Sequence, residues 1–458
     1  MTDRKGNCRL QQQQKTIARR ADQTRAVDFF NVLTGPELLE ITEAHLPAHR
    51  ERLYPPTVTL SMFINQVLDA DGSCQLAVNR WAAQRMVEGL NPRSIATGGY
   101  CRARQRLPLA LIKTLACETG RLLCAQSDQG WLWRGRKVKL VDGTGLSMPD
   151  TASNQERYPQ PASQGEGVGF PHARMVGVTC LSTGAILAAE LGTHAGKGQG
   201  ELGLLRRLEG VFERGDVVLA DALYCSYFLL AELQALGVDM VFAQHGSRHT
   251  DFRCGERLGV RDHLVDWIKP ARPTWMTASQ YAAVPSTLTV REAKVGGRVL
   301  VTTLLEPRDV PKNELKAVYA QRWQVELDIR NIKTTLGMDV LRCQTPDMVE
   351  KEVWVYLLAY NLIRLLMAQA AWGAGLQPRE VSFKHTLQLW VEWQRVGYGR
   401  HTSESYAVLF FLIAQNKVGN RPGRIEPRAC KRRPKSSKWL KEPREQARQR
   451  MRDHRCVL

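Results

Sequence analysis

The sequence predicts an α/β protein whose central sheet, flanked by helices, lies between a helical N-terminal part and a helical, basic C-terminal part. Three observations predict it. Apolar residues recur at helical spacing up to about residue 135. From about Arg136 short β-branched runs bounded by glycine turns alternate with helical stretches. Beyond about residue 311 the helical period returns and persists toward a tail crowded with arginine and lysine.

In order along the chain, Met62 to Leu68, Gln75 to Leu90 and Leu107 to Cys124 carry the helical period. Between the last two, Thr97-Gly98-Gly99 leads into a segment holding Arg102, Arg104 and Arg106, either a DNA contact at a helix start or an ordinary solvated helix end. Lys137 to Val141 alternates like a half-buried strand and stops at Asp142-Gly143-Thr144, where the glycine marks a turn. Met175 to Leu181 and Ala185 to Leu191 flank Ser182-Thr183-Gly184 and form a hairpin. Glu201 to Phe212 is predicted helical, Val217 to Ala220 a buried strand, Tyr227 to Leu236 a helix and Val238 to Ala243 a strand. This succession is compatible with a ribonuclease-H-like sheet. Residues from about Gln244 to Val310 are richer in Gly, Arg, Thr and Val, with short strands at Thr287 to Lys294 and Arg298 to Leu304. Lys351 to Ala371 and Phe383 to Val396 are predicted helical.

Two aspartates, Asp142 and Asp221, stand at or just past the carboxyl ends of predicted strands, where neighbouring strands of such a sheet would converge on a site. Either alone is also a common turn or cap residue. A third acid belongs to an unusual set. On a helix of about 100° per residue, Arg322, Glu326 and Lys333 fall about 60°, 20° and 40° from Tyr319. A phenol, a guanidinium, a carboxylate and an ammonium then share one stripe, a combination that core packing does not require. Asp328 lies about 180° away by the same arithmetic, so Glu326 is the acid of the stripe and Asp328→Ala should be mild. The stripe alone also describes an amphipathic helix with charge pairs in solvent. Three carboxylates and no soft ligand suit Mg²⁺, with Mn²⁺ as a substitute.

The set Tyr319, Arg322, Glu326, Lys333 matches Y-x2-R-x3-E-x6-K without a gap, and the chain resembles the DDE transposases of bacterial insertion sequences that carry this motif. Pro149-Asp150-Thr151 with Asn154 and Tyr158-Pro159, Lys197 to Glu201, Leu336-Gly337-Met338 and Glu426-Pro427-Arg428 resemble further blocks of these proteins. One departure is Ala222, where many relatives carry arginine after the second acid. The resemblance implies a ribonuclease-H-like catalytic core interrupted by a β-rich insertion. The chain divides accordingly into residues 1–135 (helical, DNA-binding), 136–243 (core, first part), 244–310 (β insertion), 311–345 (core helix with the motif), 346–420 (helical) and 421–458 (basic tail). It implies catalytic, metal-binding roles for Asp142, Asp221 and Glu326, phosphate contacts for Tyr319, Arg322 and Lys333, and recognition of terminal repeats near Arg102, Arg104 and Arg106. The implied function is cut-and-paste transposition: Mg²⁺-dependent cleavage at the terminal inverted repeats, then strand transfer into target DNA, by a homodimer on double-stranded DNA. The rival readings are an inactive sequence-specific DNA-binding protein derived from a transposase and a ribonuclease-H-like nuclease. Relatives use an aromatic residue of the insertion to hold a flipped base; Trp267 and Trp275 are the indole candidates, and each also fits as a packing residue.

Composition agrees. The net charge is +19, and residues 421–458, with 14 basic and 4 acidic side chains, supply +10 of it. Such an excess favours a polyanion, and the tail is expected to be extended on DNA or disordered. Eleven scattered cysteines without a C-x2-C pair fit reduced thiols, and His245, His249, Cys254 and His263 lack the spacing of a zinc site. The N-terminus has no apolar signal region, and Asn361, Arg364 and Gln369 interrupt the most apolar stretch, Val353 to Ala374. Those features predict a cytoplasmic protein with no membrane span.

Overall fold

The structure is a computed structural model that describes residues 53–87, 89–91, 93–396, 403–419 and 440–455. The Glu426-Pro427-Arg428 block, and residues 1–52 of the N-terminal region, lie outside them.

Among the described residues four helices come first: α1 (Pro56–Leu68), α2 (Cys74–Val87), α3 (Gly98–Arg106) and α4 (Leu109–Ala125). Pro108 separates α3 from α4, since it cannot donate to the α3 ladder but starts α4 readily. The sheet then begins with β1 (Val138–Ser147), followed by α5 (Ala152–Arg157), β2 (His172–Cys180), β3 (Ile186–Thr193), α6 (Glu201–Arg206), β4 (Val217–Ala220), α7 (Tyr227–Ala235) and β5 (Asp239–Ala243). The hairpin between β2 and β3 turns at Gly184, whose φ of +76° suits glycine and whose Cβ would stand 2.7 Å from the Arg364 guanidinium carbon. Strands β1 and β2 and strands β2 and β3 pair antiparallel, while β1, β4 and β5 are parallel, giving the order β3-β2-β1-β4-β5 with α7 crossing from β4 to β5. That is the ribonuclease-H-like sheet.

The residues expected as an insertion extend this sheet instead of forming a separate one. They comprise β6 (Glu256–Gly259), β7 (Asp262–Ile268), α8 (Ala278–Ala283), β8 (Thr287–Val295) and β9 (Arg298–Thr302). Strand β9 pairs antiparallel with β5, and β8, β7 and β6 follow outward, so the described strands make one sheet of nine. The buried pair Arg291–Asp262, at 2.6 Å, fastens β8 to β7, and Arg291 also donates to the Val310 carbonyl at the return to the core.

Helices α9 (Lys312–Ala320) and α10 (Trp323–Arg330) come next, then a π turn at Asn331–Thr335, the long α11 (Pro346–Ala374), α12 (Phe383–Val396), α13 (Ser403–Gln415) and α14 (Arg444–Arg455). The single helix expected over Tyr319 to Lys333 is therefore interrupted at Gln321-Arg322 and again at Asn331. Within the basic tail, residues 444–455 are helical rather than extended, with Arg448 paired to Glu445 one turn away.

Helix α11 is long and apolar enough to cross a membrane, yet 89% of its most apolar window is buried within the protein. Its polar residues explain the burial. Asn361 is fully buried, donates to the carbonyls of Ala116 on α4 and Ile186 on β3, and accepts from the Ile186 N–H. One amide thus ties three elements. At that junction a Cβ on Gly120 would meet the Ile186 oxygen at 1.9 Å, so only glycine allows α4 so close to β3.

Candidate active site

Parallel register brings the first two acids together. Leu140 on β1 pairs with Leu219 on β4, and two residues further along each strand stand Asp142 and Asp221. Two residues is the strand repeat, so both acids follow Leu140 and Leu219 on the same face. That face is where Val318 and Tyr319 of α9 and Val325 of α10 pack against the two leucines. Contrary to the sequence reading, Asp142-Gly143-Thr144 is not a turn. Strand β1 continues to Ser147, with Asp142 opposite Gly177. The glycine is needed for closeness: a Cβ on Gly143 would stand 2.4 Å from the Glu201 carboxyl carbon, and Glu201 accepts from the buried Tyr224 hydroxyl at 3.0 Å. Asp221 is the strand-end acid, accepting from the Leu223 N–H at 2.9 Å as the chain leaves β4.

Glu326 arrives from α10. It accepts from Arg322 at 2.7 Å, one helical turn earlier. Burial pushes the Asp142 carboxyl up to about 6; the Gly143 N–H and Arg322 oppose that rise, while Asp221 and Glu326 add to it as like charges. All three acids and Arg322 therefore share one field. Among the described residues no three metal-ligating side chains stand close enough together to hold one ion, and in this arrangement Glu326 is bound to Arg322 instead. The donor set nevertheless suits a hard divalent cation, since every donor is a carboxylate oxygen in a part-buried site with surplus negative charge.

The remaining motif residues occupy distinct places. Tyr319 is nearly buried, and desolvation raises its phenol above the usual range. Lys333, on the π turn, donates to the Gly145 carbonyl at 2.9 Å and the Thr144 hydroxyl at 3.3 Å, clipping that turn to β1 just past Asp142. Asp328 contradicts its sequence reading. It is fully buried and holds Arg364 of α11 at 2.5 Å and Arg379 at 2.8 Å, so it anchors the helix that presents Glu326.

Arg102 and Arg106 are exposed. Arg104 must be corrected: it is buried, lies over the Phe63 ring at 4.2 Å, and donates to Gln66 and to the sulfurs of Cys74 and Cys343. Its guanidinium holds helices together and does not reach a DNA backbone. The two indole candidates differ, Trp267 being buried and Trp275 45% exposed with one face covered. Trp267 is 3% exposed and donates to Glu292, while Arg206 lies 3.5 Å over the Trp275 ring. The exposed indole beside the motif is Trp323, 46% exposed between Arg322 and Glu326.

A pocket of about 570 Å³ opens beside Asp221 and Glu326, lined by Tyr319 and Arg322 and, from the β5–β6 loop and β9, by Arg248 and Arg298. The last two were missed by sequence reasoning. No motif contains them: Arg248 reaches the acids because β5 runs parallel to β4 and its following loop leaves the sheet at the same edge, and Arg298 because β9 pairs with β5.

A ribonuclease-H-like sheet with acids on adjacent parallel strands and a third on a covering helix defines a phosphoryl-transfer fold of the transposase and nuclease type. Residues 133–362 match the family model described as "Transposase DDE domain", and the chain belongs to that family. It is 27% identical over 414 residues to the transposase InsG for insertion sequence element IS4 of Escherichia coli (strain K12), covering 87% of this chain and 90% of that protein. It is also 31% identical over 70 residues to the putative transposase InsL for insertion sequence element IS186A of the same organism, covering 15% and 19% respectively. A piggyBac transposase synaptic complex with hairpin DNA aligns over 87% of this chain and 86% of that one, at 9% identity and a TM-score of 0.42. The protein is thus a DDE transposase of an insertion sequence, a DNA enzyme of a class dependent on divalent cations.

Proposed function

We propose that this transposase acts by cut and paste, with Asp142, Asp221 and Glu326 as its catalytic carboxylates. The observation that supports this most is the register of β1 on β4, which aligns Asp142 with Asp221 on the face covered by α10. These three side chains would hold Mg²⁺, which when bound supplies Lewis-acid polarisation of the scissile phosphate and its attacking and leaving oxygens. The protein's own part is positioning. Arg322 has to exchange its Glu326 partner for a phosphate as the carboxylate turns to metal, and its planar fork fits that exchange. Lys333 fixes β1 beside Asp142, and Tyr319 closes the pocket wall. Water attacks the phosphodiester at the element's end and frees a 3′-OH. That hydroxyl attacks the phosphodiester of the opposite strand, expelling the 3′ oxygen of the flanking DNA to give a hairpin, water reopens the hairpin to regenerate the 3′-OH, and the 3′-OH joins target DNA with loss of the target's own 3′ oxygen. Arg102 and Arg106 contribute to holding the terminal repeat, and the DNA-bound form is a homodimer in the cytoplasm.

The test is a time course with Mg²⁺ and a labelled duplex bearing the terminal inverted repeat. Nicking, hairpin and strand-transfer products are expected, and Asp142→Ala, Asp221→Ala and Glu326→Ala should each abolish all three while retaining binding. Cleavage without transfer would favour a nuclease, and binding without chemistry an inactive derivative. Near-normal cleavage by any of the three variants would overturn the assignment.

A further inference from the structure

Among the described residues lining the pocket beside the acids, Arg248 is a cation held in place by a ring while its hydrogen-bonding fork is unused. Arg322 spends its guanidinium on Glu326 at 2.7 Å, and Lys333 is committed to Gly145, Thr144 and Asp339. Arg248 differs. Its guanidinium carbon lies 3.5 Å from the centre of the Trp267 ring, and among the described residues its N–H groups have no hydrogen-bond or ion-pair partner. The stack fixes the plane while leaving the fork free.

The platform under it is itself fixed. Trp267 is buried and donates its indole N–H to Glu292 at 2.8 Å. Glu292 is buried on β8 and faces the His263 ring at 3.4 Å, whose other nitrogen lies 2.6 Å from the Cys254 carbonyl. A carbonyl only accepts, so that nitrogen carries a hydrogen. The Cys254–His263–Glu292–Trp267 chain thus locks the indole in a β7–β8 frame, and Arg248 rests on it at the pocket wall. A surface arginine that served solubility alone would need neither a buried ring beneath it nor a buried carboxylate behind that ring.

We infer that Arg248 is a phosphate-binding residue of the DNA strand at the catalytic acids, and that Trp267 and Glu292 are its positioning residues. This deepens the proposed function, on which it rests for the identity of the anion as DNA. It also gives Trp267 a role other than base stacking, because the ring is buried and Arg248 lies over it.

The experiment uses the full-length protein and a duplex ending in the terminal inverted repeat read from the DNA flanking the reading frame, with single neutral methylphosphonate linkages placed in turn around the cut. Two quantities are read: binding by fluorescence anisotropy with EDTA across a salt series, and the single-turnover nicking rate with Mg²⁺. Arg248→Ala is expected to slow nicking about ten- to hundredfold and to reduce the salt slope of binding by about 1. At one linkage the methylphosphonate should weaken the wild-type protein but leave Arg248→Ala unaffected, which a merely structural role would not produce. Arg248→Lys should recover little, and Trp267→Leu should reproduce the linkage-specific loss with Arg248 still present. Equal sensitivity of wild-type and Arg248→Ala proteins at every linkage would overturn the inference, as would unchanged binding and nicking by Arg248→Ala. Should the wild-type protein bind but fail to nick, the proposed function falls, while the Arg248 contact is still decided by the binding arm.

Discussion

Replacing Asp328 should unfold this protein more effectively than replacing any of its proposed catalytic acids. Asp328 accepts from Arg364 at 2.5 Å through one oxygen and from Arg379 at 2.8 and 2.9 Å through both, and none of the carboxylate is exposed. Arg364 is buried too and also donates to the Tyr360 hydroxyl, and Arg379 caps the Leu181 and Cys180 carbonyls. Asp328→Ala leaves two guanidiniums facing each other without their shared anion. Breaking a buried pair in this way costs about 3 to 5 kcal/mol, a large part of the 5 to 15 kcal/mol that typically holds a domain together. Asp328→Asn should lose nearly as much, since its amide N–H₂ would point at an Arg379 donor. The double change Asp328→Leu with Arg364→Met should recover part of the loss, because it removes charge on both sides. Urea denaturation followed by intrinsic tryptophan fluorescence measures this, with the exposed Asp309→Ala as a reference expected within about 0.5 kcal/mol of wild type. If Asp328→Ala matched Asp309→Ala, this network would not be what anchors α10 to α11.

Three further outcomes follow from the same geometry. Without metal, Asp142→Asn should stabilise the protein by about 3 kcal/mol at pH 7.5, because the folded carboxyl sits at about 6 against an ordinary 3.8. The sign is fixed by the raised value: the carboxyl's contribution is fully favourable below about pH 3.8 and is lost as pH rises through 6, so the variant's advantage should vanish toward pH 4 in urea titrations with EDTA. Arg322→Ala should still nick but accumulate nicked DNA about ten- to hundredfold longer before double-strand cleavage, and a block as early as that of Glu326→Ala on labelled ends would refute the division of labour. Deleting residues 421–458 removes +10 of charge, so DNA affinity should fall and its dependence on salt flatten; an unchanged slope in anisotropy titrations would show that the tail does not touch DNA.

The sequence alone determined the fold class and the order of elements wherever a local pattern carried the information. Alternation and β-branching marked β4, β5, β8 and β9, the helical period marked α1, α7, α11 and α12, and the Ser182-Thr183-Gly184 turn marked the β2–β3 hairpin. The acids and the Tyr319, Arg322, Glu326, Lys333 set were legible because spacing within one segment is a local property. What needed the tertiary structure was every property of a surface. Arg102, Arg104 and Arg106 share one short helix, yet only α1 and the Cys343 segment packing on it decide that Arg104 is buried. Helical arithmetic put Asp328 opposite Glu326 correctly, but whether that opposite face meets water or two arginines more than thirty residues later depends on how α11 crosses α10. Gly143 reads as a turn because glycine is common in turns, whereas here it makes room for a carboxylate about sixty residues away. Arg248 and Arg298 come to the acids only because β5 pairs with β4 and β9 adds to β5, placing the loop after β5 and the start of β9 beside Asp221. Period and propensity act over a few residues, while burial and pairing are set by distant segments that only the folded chain brings into contact.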